Sequence, residues 1–324
     1  MRSSRHSKGI LELKNKSRPI ACVTGASGLI GRRIVKLLLG REYAVRALSR
    51  RNDFAGTEVE VFCDGLENKN VLADFLRGAQ MLFHCAAEVR DQAKMWEVNV
   101  RGTERLLRVA ADAGIEYLCH FSSAAVTGKT REARVDESTP CHPRDLYEET
   151  KLAGENLVDR IARGCRVVIL RPTEVVDHQR PGALALPRRG LPADRLKVFI
   201  QGGECTHIIH AADVATAALF FISYPLTTPQ CFLVSCDHEP LNTFAGLWAL
   251  YSACRDNRPV EGIKPVLHLP SIFPHLLRRL WRGGGYRGEV RYSPRRLLST
   301  GFSFPLGLVG AVRQLIQDQG VAAT

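Results

Sequence analysis

Eight residues near the start of the chain, Thr24-Gly25-Ala26-Ser27-Gly28-Leu29-Ile30-Gly31, limit what it can fold into more than any other feature. They follow a short apolar run, Ile20–Thr24, and lead into Gly28–Leu39, where Leu29, Ile30, Ile34, Leu37 and Leu38 recur at helical spacing. Strand, glycine turn and helix in immediate succession form a unit with a physical use. Glycines permit the tight turn, let backbone approach a pyrophosphate and allow the helix to lie close on the strand. The helix N-terminus then offers unpaired N–H groups to the anion.

The same alternation continues. Ala44–Leu48, Val59–Phe62, Met81–His84, Tyr117–Phe121 and Arg166–Leu170 read as strands, and Met95–Ala113 and Leu146–Ala162 as helices between them. Such alternation predicts crossover units on a parallel sheet, an α/β doubly wound Rossmann fold. After residue 172 the regularity weakens, with Pro181, Pro187 and Pro192 interrupting any long element, so a smaller C-terminal substrate-binding lobe is expected there. A helix, Ala211–Ile222, and a strand, Cys231–Val234, follow. The expected organisation is a basic tail over 1–18, a nucleotide-binding domain over 19–172, and a lobe over 173–324 from which 197–235 returns to the sheet.

The net charge of +12 is concentrated in residues 1–18 and 278–296. A solvated basic face accounts for such runs more readily than a nucleic-acid surface, and no nucleic-acid partner is expected. Pro270–Trp281 could rest on a membrane surface, although packing onto the main body is the stronger reading. The ten cysteines are scattered with no C-x-x-C pair, which suits free thiols in a reducing compartment. No run approaches the ~18–20 apolar residues of a membrane span, and no signal-like apolar stretch opens the chain, so a cytoplasmic location is expected. His84, His120, His207 and His210 form no recognisable metal set, and no metal is expected.

The T-G-x-x-G-x-x-G spacing resembles the extended short-chain dehydrogenase/reductase family, which includes NAD-dependent epimerases and dehydratases. The resemblance runs over roughly residues 19–240. His84-Cys85-Ala86-Ala87 is similar to the family's H-x-A-A, and Asn99-Val100-Arg101-Gly102-Thr103 to its N-x-x-G-T. Arg171-Pro172 and the segment His210–Ala215 match two later landmarks. The resemblance implies a nicotinamide dinucleotide bound by Gly25, Ser27, Gly28, Leu29, Ile30 and Gly31. It further implies that Asp64 contacts adenine, that the backbone at Ala86 and Ala87 lines the cofactor, and that Asn99 and Pro172 border it. The closest patterns are those of dihydroflavonol-reductase-like and hydroxysteroid-dehydrogenase-like members.

An NAD-selective site commonly ends its second strand with an acid that accepts the ribose hydroxyls. Here that strand runs Leu48-Ser49-Arg50-Arg51, with a small hydroxyl at the acid's place and guanidinium groups after it. Guanidinium suits a phosphate. Arg50 is therefore expected to contact the cofactor, with NADP(H) preferred and NAD(H) possible.

Tyr147 and Lys151 stand one helical turn apart on one face of their helix. A free phenol has a pKa near ~10, and an ammonium close by would lower it and prepare it for proton transfer. By resemblance Ser123 holds the substrate oxygen, with Ser122 in reserve; Tyr147 moves the proton, and Lys151 tunes Tyr147 and holds the nicotinamide ribose. Glu148 and Glu149 read as surface residues. Sugar-nucleotide enzymes of this kind usually carry an arginine where Thr206 stands, counting back from Asp213, although Arg180, Arg188 or Arg189 could supply the charge from elsewhere. The leading expectation is a carbonyl or alcohol compound of moderate size, reduced or oxidised with NADP(H); the resemblance further implies a homodimer that pairs through helices 95–113 and 146–162. Alternatives are a nucleotide-sugar epimerase, dehydratase or reductase, and a non-catalytic cofactor-sensing scaffold.

Overall fold

The computed structural model describes residues 18–128, 130, 132–162, 164–226, 229–273, 288 and 290–322. The tail over 1–17, and most of Pro270–Trp281 and of the 278–296 basic run, lie outside the described residues. Seven parallel strands make the main sheet: β1 (Ile20–Thr24), β2 (Ala44–Leu48), β3 (Glu60–Phe62), β4 (Met81–His84), β5 (Tyr117–Phe121), β7 (Arg166–Pro172) and β10 (Gln230–Val234). Their order is β10-β7-β5-β4-β1-β2-β3. The chain starts in the middle, winds outward through β2 and β3, then returns to build the other half from β4. Short strands add two ribbons: β6 (Arg134–Val135) with β11 (Arg291–Tyr292), and β8 (Glu174–Val176) with β9 (Ile208–His210).

Both faces of the sheet are covered, which is why all of Tyr117–Phe121 is buried and the strand reads as apolar throughout. On one face Ile34 and Leu38 of the Gly31–Leu39 helix meet Val214 and Ala218 of the Ala211–Phe220 helix. On the other lie Leu72 of the helix Lys69–Leu76, Leu106 of the helix Thr103–Asp112 and Leu157 of the helix Leu146–Ile161. The lobe has its own cluster, in which Leu247 and Leu250 of the helix Phe244–Arg255 pack on Val312 and Leu315 of the helix Gly307–Ala322.

Several of the expected elements differ. The Gly28–Leu39 helix begins only at Gly31, because residues 25–30 form the turn. The Met95–Ala113 helix is three pieces: Gln92–Trp96, a π-helical turn Glu97–Gly102, and Thr103–Asp112. The apolar spacing on either side is helical, so the extra residue of the π turn leaves no trace in periodicity. Strand β7 runs two residues further than expected, through Arg171 and Pro172. Of residues 197–235, those from Ala211 to Val234 rejoin the main body, while Lys197–Gln201 ends the lobe helix Pro192–Gln201.

Candidate active site

Strands β1 and β4 are neighbours whose crossovers leave in opposite directions, and the crevice outside their carboxyl ends is where open α/β sheets take ligands. The glycine turn sits there. Gly25 has φ +62°, and a Cβ on it would stand 2.7 Å from the Ala86 nitrogen; on Gly31 a Cβ would stand 2.3 Å from the Gly25 oxygen. Glycine is therefore required at both positions. The Gly25 N–H donates to the Leu48 carbonyl (3.1 Å) and the Gly28 N–H to the Gly25 carbonyl (3.0 Å), which fixes the turn between β1 and β2. Gly28 is exposed, Ser27, Leu29 and Ile30 are half-buried, and the N-cap position, Ile30, carries no side-chain cap. The Arg32 and Arg33 N–H groups are taken by the Gly28 and Ile30 carbonyls, and no side chain of the turn caps the helix start.

At the end of β2, buried Ser49 donates its hydroxyl to the Ser27 hydroxyl at 3.1 Å, joining the second strand to the glycine turn. Arg51 approaches Asp53 at 3.8 Å, whereas exposed Arg50 has no hydrogen-bond or ion-pair partner among the described residues. Asp64 lies just past β3; its carboxylate accepts from the Gly65 N–H (2.7 Å) and the Asn68 amide (2.9 Å). Ala86 and Ala87 are half-buried beyond β4, against the glycine turn. Pro172 is buried at the end of β7 opposite Val234.

Ser123, Tyr147 and Lys151 come together at the carboxyl end of β5. Ser123, not Ser122, stands close enough to the Tyr147 phenol to lower its pKa; Ser123 also caps a short 3₁₀ turn by accepting from the Ala125 N–H at 3.2 Å. Lys151 is buried and donates its ammonium to the Phe121 carbonyl. Burial pulls its pKa down to about 8, and the Glu155 carboxylate opposes that pull. The phenol does not follow the expectation drawn from sequence. Burial pushes its pKa up, with the Ser123 hydrogen bond and the Arg180 charge acting in the opposite direction. The ammonium is aimed at the Phe121 carbonyl, and the phenol stays in its proton-carrying form at neutral pH.

The chain matches the family described as NAD dependent epimerase/dehydratase over residues 21–231. It belongs to that family. The 3 beta-hydroxysteroid dehydrogenase/Delta 5→4-isomerase of Mycobacterium tuberculosis is 34% identical over 261 residues, 73% of this chain and 70% of that protein. "Sterol demethylase protein B" of Methylococcus capsulatus is 32% identical over 194 residues, 56% of this chain and 59% of that protein, so the match spans somewhat over half of that relative. A short-chain dehydrogenase/reductase superfamily protein from Agrobacterium tumefaciens, solved with bound NAD, superposes with a TM-score of 0.71 at 24% identity, covering 94% of this chain and 98% of that one. The resemblance read from the motifs and the doubly wound parallel fold are both borne out.

Several motif residues of this epimerase/dehydratase-family chain hold the site's frame. The Thr103 hydroxyl donates to the Asn99 carbonyl (2.7 Å), so it accepts from His84 Nε2 (2.9 Å), and His84 Nδ1 in turn accepts from the Thr24 hydroxyl (2.7 Å). Thr24 Oγ1 also receives the Ala86 N–H at 3.3 Å. Burial keeps His84 neutral, its pKa lowered to about 3. Asn99, in the π turn, accepts the Glu88 N–H (2.7 Å) and donates to the Glu88 carbonyl (2.9 Å) and the Thr150 hydroxyl (3.1 Å). Its amide therefore braces the loop after β4 against the helix of Tyr147 rather than pointing at a ligand.

Sequence reasoning placed Glu148 on the surface, and that is corrected. Only Glu149 is exposed; Glu148 is buried, accepting from the Arg144 N–H (2.7 Å) and guanidinium (2.6 Å) ahead of the helix. Asp145 caps the same helix by accepting the Glu148 N–H at 2.9 Å. Glu155 was not singled out at all, yet it holds Arg171 by two parallel hydrogen bonds of 2.8 and 2.6 Å. An acid one turn beyond Lys151 was the available signal. Asp213 and His210, read as landmarks, are caps: Asp213 accepts the Leu306 and Gly307 N–H groups, and His210 the Ala212 N–H.

Proposed function

We propose that this chain is an NAD(P)-dependent oxidoreductase that prefers NADP(H) and acts on a carbonyl or alcohol compound of moderate size. The observation that carries the reading is the convergence of Ser123 and Tyr147 beside buried Lys151, at the ligand-binding edge of a family-typical sheet. The residues fit the cofactor: the glycine turn, whose close backbone contacts admit no Cβ at Gly25 or Gly31, opens onto an uncapped helix start for the pyrophosphate. When bound, the nicotinamide supplies or accepts the hydride. Ser123 holds the substrate oxygen. Tyr147, held protonated by its surroundings, gives that oxygen a proton during reduction, and Lys151 stands one turn along to bind the nicotinamide ribose. At neutral pH the phenol carries its proton, as a donor to the substrate oxygen in the reductive direction must.

The preference for NADP(H) rests on Arg50, an exposed guanidinium with no described partner at the end of β2, where Ser49 stands instead of an acid. A nucleotide-sugar epimerase, dehydratase or reductase is the second reading. Thr206 weakens it, being buried and bonded to Asn242 at 2.6 Å where a diphosphate-binding arginine would stand; Arg189 is paired with Asp194 at 2.7 Å and Arg180 approaches Glu174 at 3.5 Å. We also propose a homodimer through the helices spanning 92–112 and 146–161, supported by Trp96, 44% exposed on the first of them. All ten cysteines are free thiols, which suits the cytoplasm, and among the described residues no helix is long and apolar enough to cross a membrane.

Replacing Tyr147 with Phe is expected to lower kcat by ~10²–10⁴-fold while cofactor binding stays measurable. Replacing Arg50 with Ala is expected to raise KM for NADPH about tenfold or more with little change for NADH, since a charge-assisted hydrogen bond contributes ~1.5–3 kcal/mol. Retained turnover in the first variant refutes the proton-transfer role. A wild-type kcat/KM favouring NADH refutes the cofactor preference.

A further inference from the structure

No metal is expected from the spacing of the histidines alone, but folding brings His207 to a cysteine and an aspartate distant in sequence. Cys205, His207 and Asp237 each present one donor atom, all within 4.8 Å of one another, the one such group of three among the described residues. His207 and Cys205 precede β9 and Asp237 follows β10, so the group ties the start of the lobe's ribbon to the end of the main sheet. We propose that these three side chains form a binding site for a zinc-type divalent cation, through a thiolate sulfur, an imidazole nitrogen and a carboxylate oxygen.

Thiolate, imidazole and carboxylate together match the donor chemistry of zinc, and three protein ligands leave a fourth position for water. Zinc bonds of ~2.0–2.3 Å in a tetrahedron put donors roughly 3.3–3.8 Å apart, so side-chain adjustments of an ångström or less would close the group. The pieces are held by a shell of hydrogen bonds. His207 Nδ1 already bonds Asp237 Oδ2 at 2.6 Å, the Tyr292 N–H donates to the same oxygen at 2.9 Å, and the buried Asn242 amide donates to Asp237 Oδ1 at 3.2 Å. Asn242 Oδ1 receives the Thr206 hydroxyl (2.6 Å) and the Ile208 N–H (3.3 Å), so one side chain fixes the residues on either side of His207 relative to Asp237. The Cys205 N–H is anchored on the Gly288 carbonyl at 2.8 Å.

Two further observations favour a site over a packing contact. His207 has φ +55°, a left-handed backbone uncommon for a side-chain-bearing residue, at the centre of the segment that carries two of the three donors. Exposure is graded, with Asp237 fully buried, Cys205 nearly so and the His207 side chain 16% exposed, so the group has a buried end and an approach from solvent. Arg291 bonds the main-chain carbonyls of Asp237 (2.7 Å) and Glu239 (3.4 Å), leaving the carboxylate to the other donors. Binding through a thiolate and an imidazole nitrogen involves no change in oxidation state.

The test uses the full chain after chelator treatment, titrated with Co²⁺ and then Zn²⁺. The expected result is one Co²⁺ per chain with a thiolate-to-cobalt charge-transfer band, displaced by Zn²⁺, lost in Cys205→Ser and kept in Cys63→Ser, whose thiol is exposed elsewhere. On the unmodified chain Zn²⁺ is expected to slow alkylation of Cys205 about tenfold or more, read by peptide mass, while Cys63 labels at an unchanged rate. No charge-transfer band in the wild-type chain, or a band that survives in Cys205→Ser, overturns the proposal. Should Cys205→Ser fail to fold, the alkylation experiment decides, and equal labelling of Cys205 with and without Zn²⁺ overturns it.

Discussion

Changing Glu155 to Gln separates two jobs done by one buried carboxylate. Its side chain is 7% exposed and that of Arg171 is 9% exposed, and their paired hydrogen bonds of 2.8 and 2.6 Å clamp the helix of Tyr147 and Lys151 onto β7. Removing one partner of a buried pair leaves the other charge uncompensated and costs about 3–5 kcal/mol, on the order of 10 °C in Tm. Replacing both, as in Glu155→Leu with Arg171→Met, removes the stranded charge, and most of that loss is expected to be recovered. The second job is electrostatic. Glu155 is the leading influence that raises the Lys151 pKa against burial, which leaves it at about 8. Without the carboxylate the ammonium loses its proton at lower pH, so the alkaline limb of the kcat/KM profile is expected to move to lower pH in Glu155→Gln. Urea unfolding of the four chains of the double-mutant cycle measures the first effect, and a pH–rate profile of the Gln variant measures the second. A single substitution costing under about 1 kcal/mol refutes the stranded-charge argument, and an alkaline limb that stays in place refutes the assignment of Lys151 to it.

Gly31→Ala is expected to destabilise the chain by about 1–3 kcal/mol and to abolish measurable cofactor binding, because its Cβ would meet the Gly25 oxygen at 2.3 Å; Gly40→Ala, whose Cβ would stand 3.5 Å from the Lys36 oxygen, is the neutral control. Thermal unfolding and cofactor titration of both variants check this. Acid should weaken the fold between pH 6.5 and 5. His84, lowered to about 3, and His210, lowered to about 4, stay neutral in the folded chain while the unfolded chain takes up protons below its ordinary value of 6.5. Each therefore contributes stability that is present above pH 6.5 and is lost as pH falls, about 2 kcal/mol by pH 5. Asp213, raised to about 6, is protonated in the folded chain first and offsets about 1 kcal/mol of this loss. His207, raised to about 12, is charged in the folded chain throughout and nearly so in the unfolded chain by pH 5, so it offsets only a few tenths of a kcal/mol of the fall. Urea midpoints at pH 6.5 and 5 measure the net fall; equal midpoints contradict the neutral, buried imidazoles.

What the sequence determined is what nearest neighbours along the chain encode. Strands β1, β2, β4 and β5 lie at the residues that alternation and apolar runs indicated, since a buried parallel strand must be apolar wherever it is covered. The glycine turn was legible because a backbone approach that admits no Cβ leaves glycine as the one fitting residue, and Tyr147 and Lys151 were legible because a helical turn of 3.6 residues fixes their common face. Tertiary structure decided the rest through contacts between distant residues. Whether Glu148 meets water or Arg144, whether Glu155 faces Arg171, and which charges reach the Tyr147 phenol all depend on packing that periodicity does not carry. The same holds for Cys205, His207 and Asp237, which share no local pattern and meet because the start of β9 lies beside the end of β10. Local spacing specifies which face a side chain takes; only the packed fold sets its burial and its partner, and with them its charge.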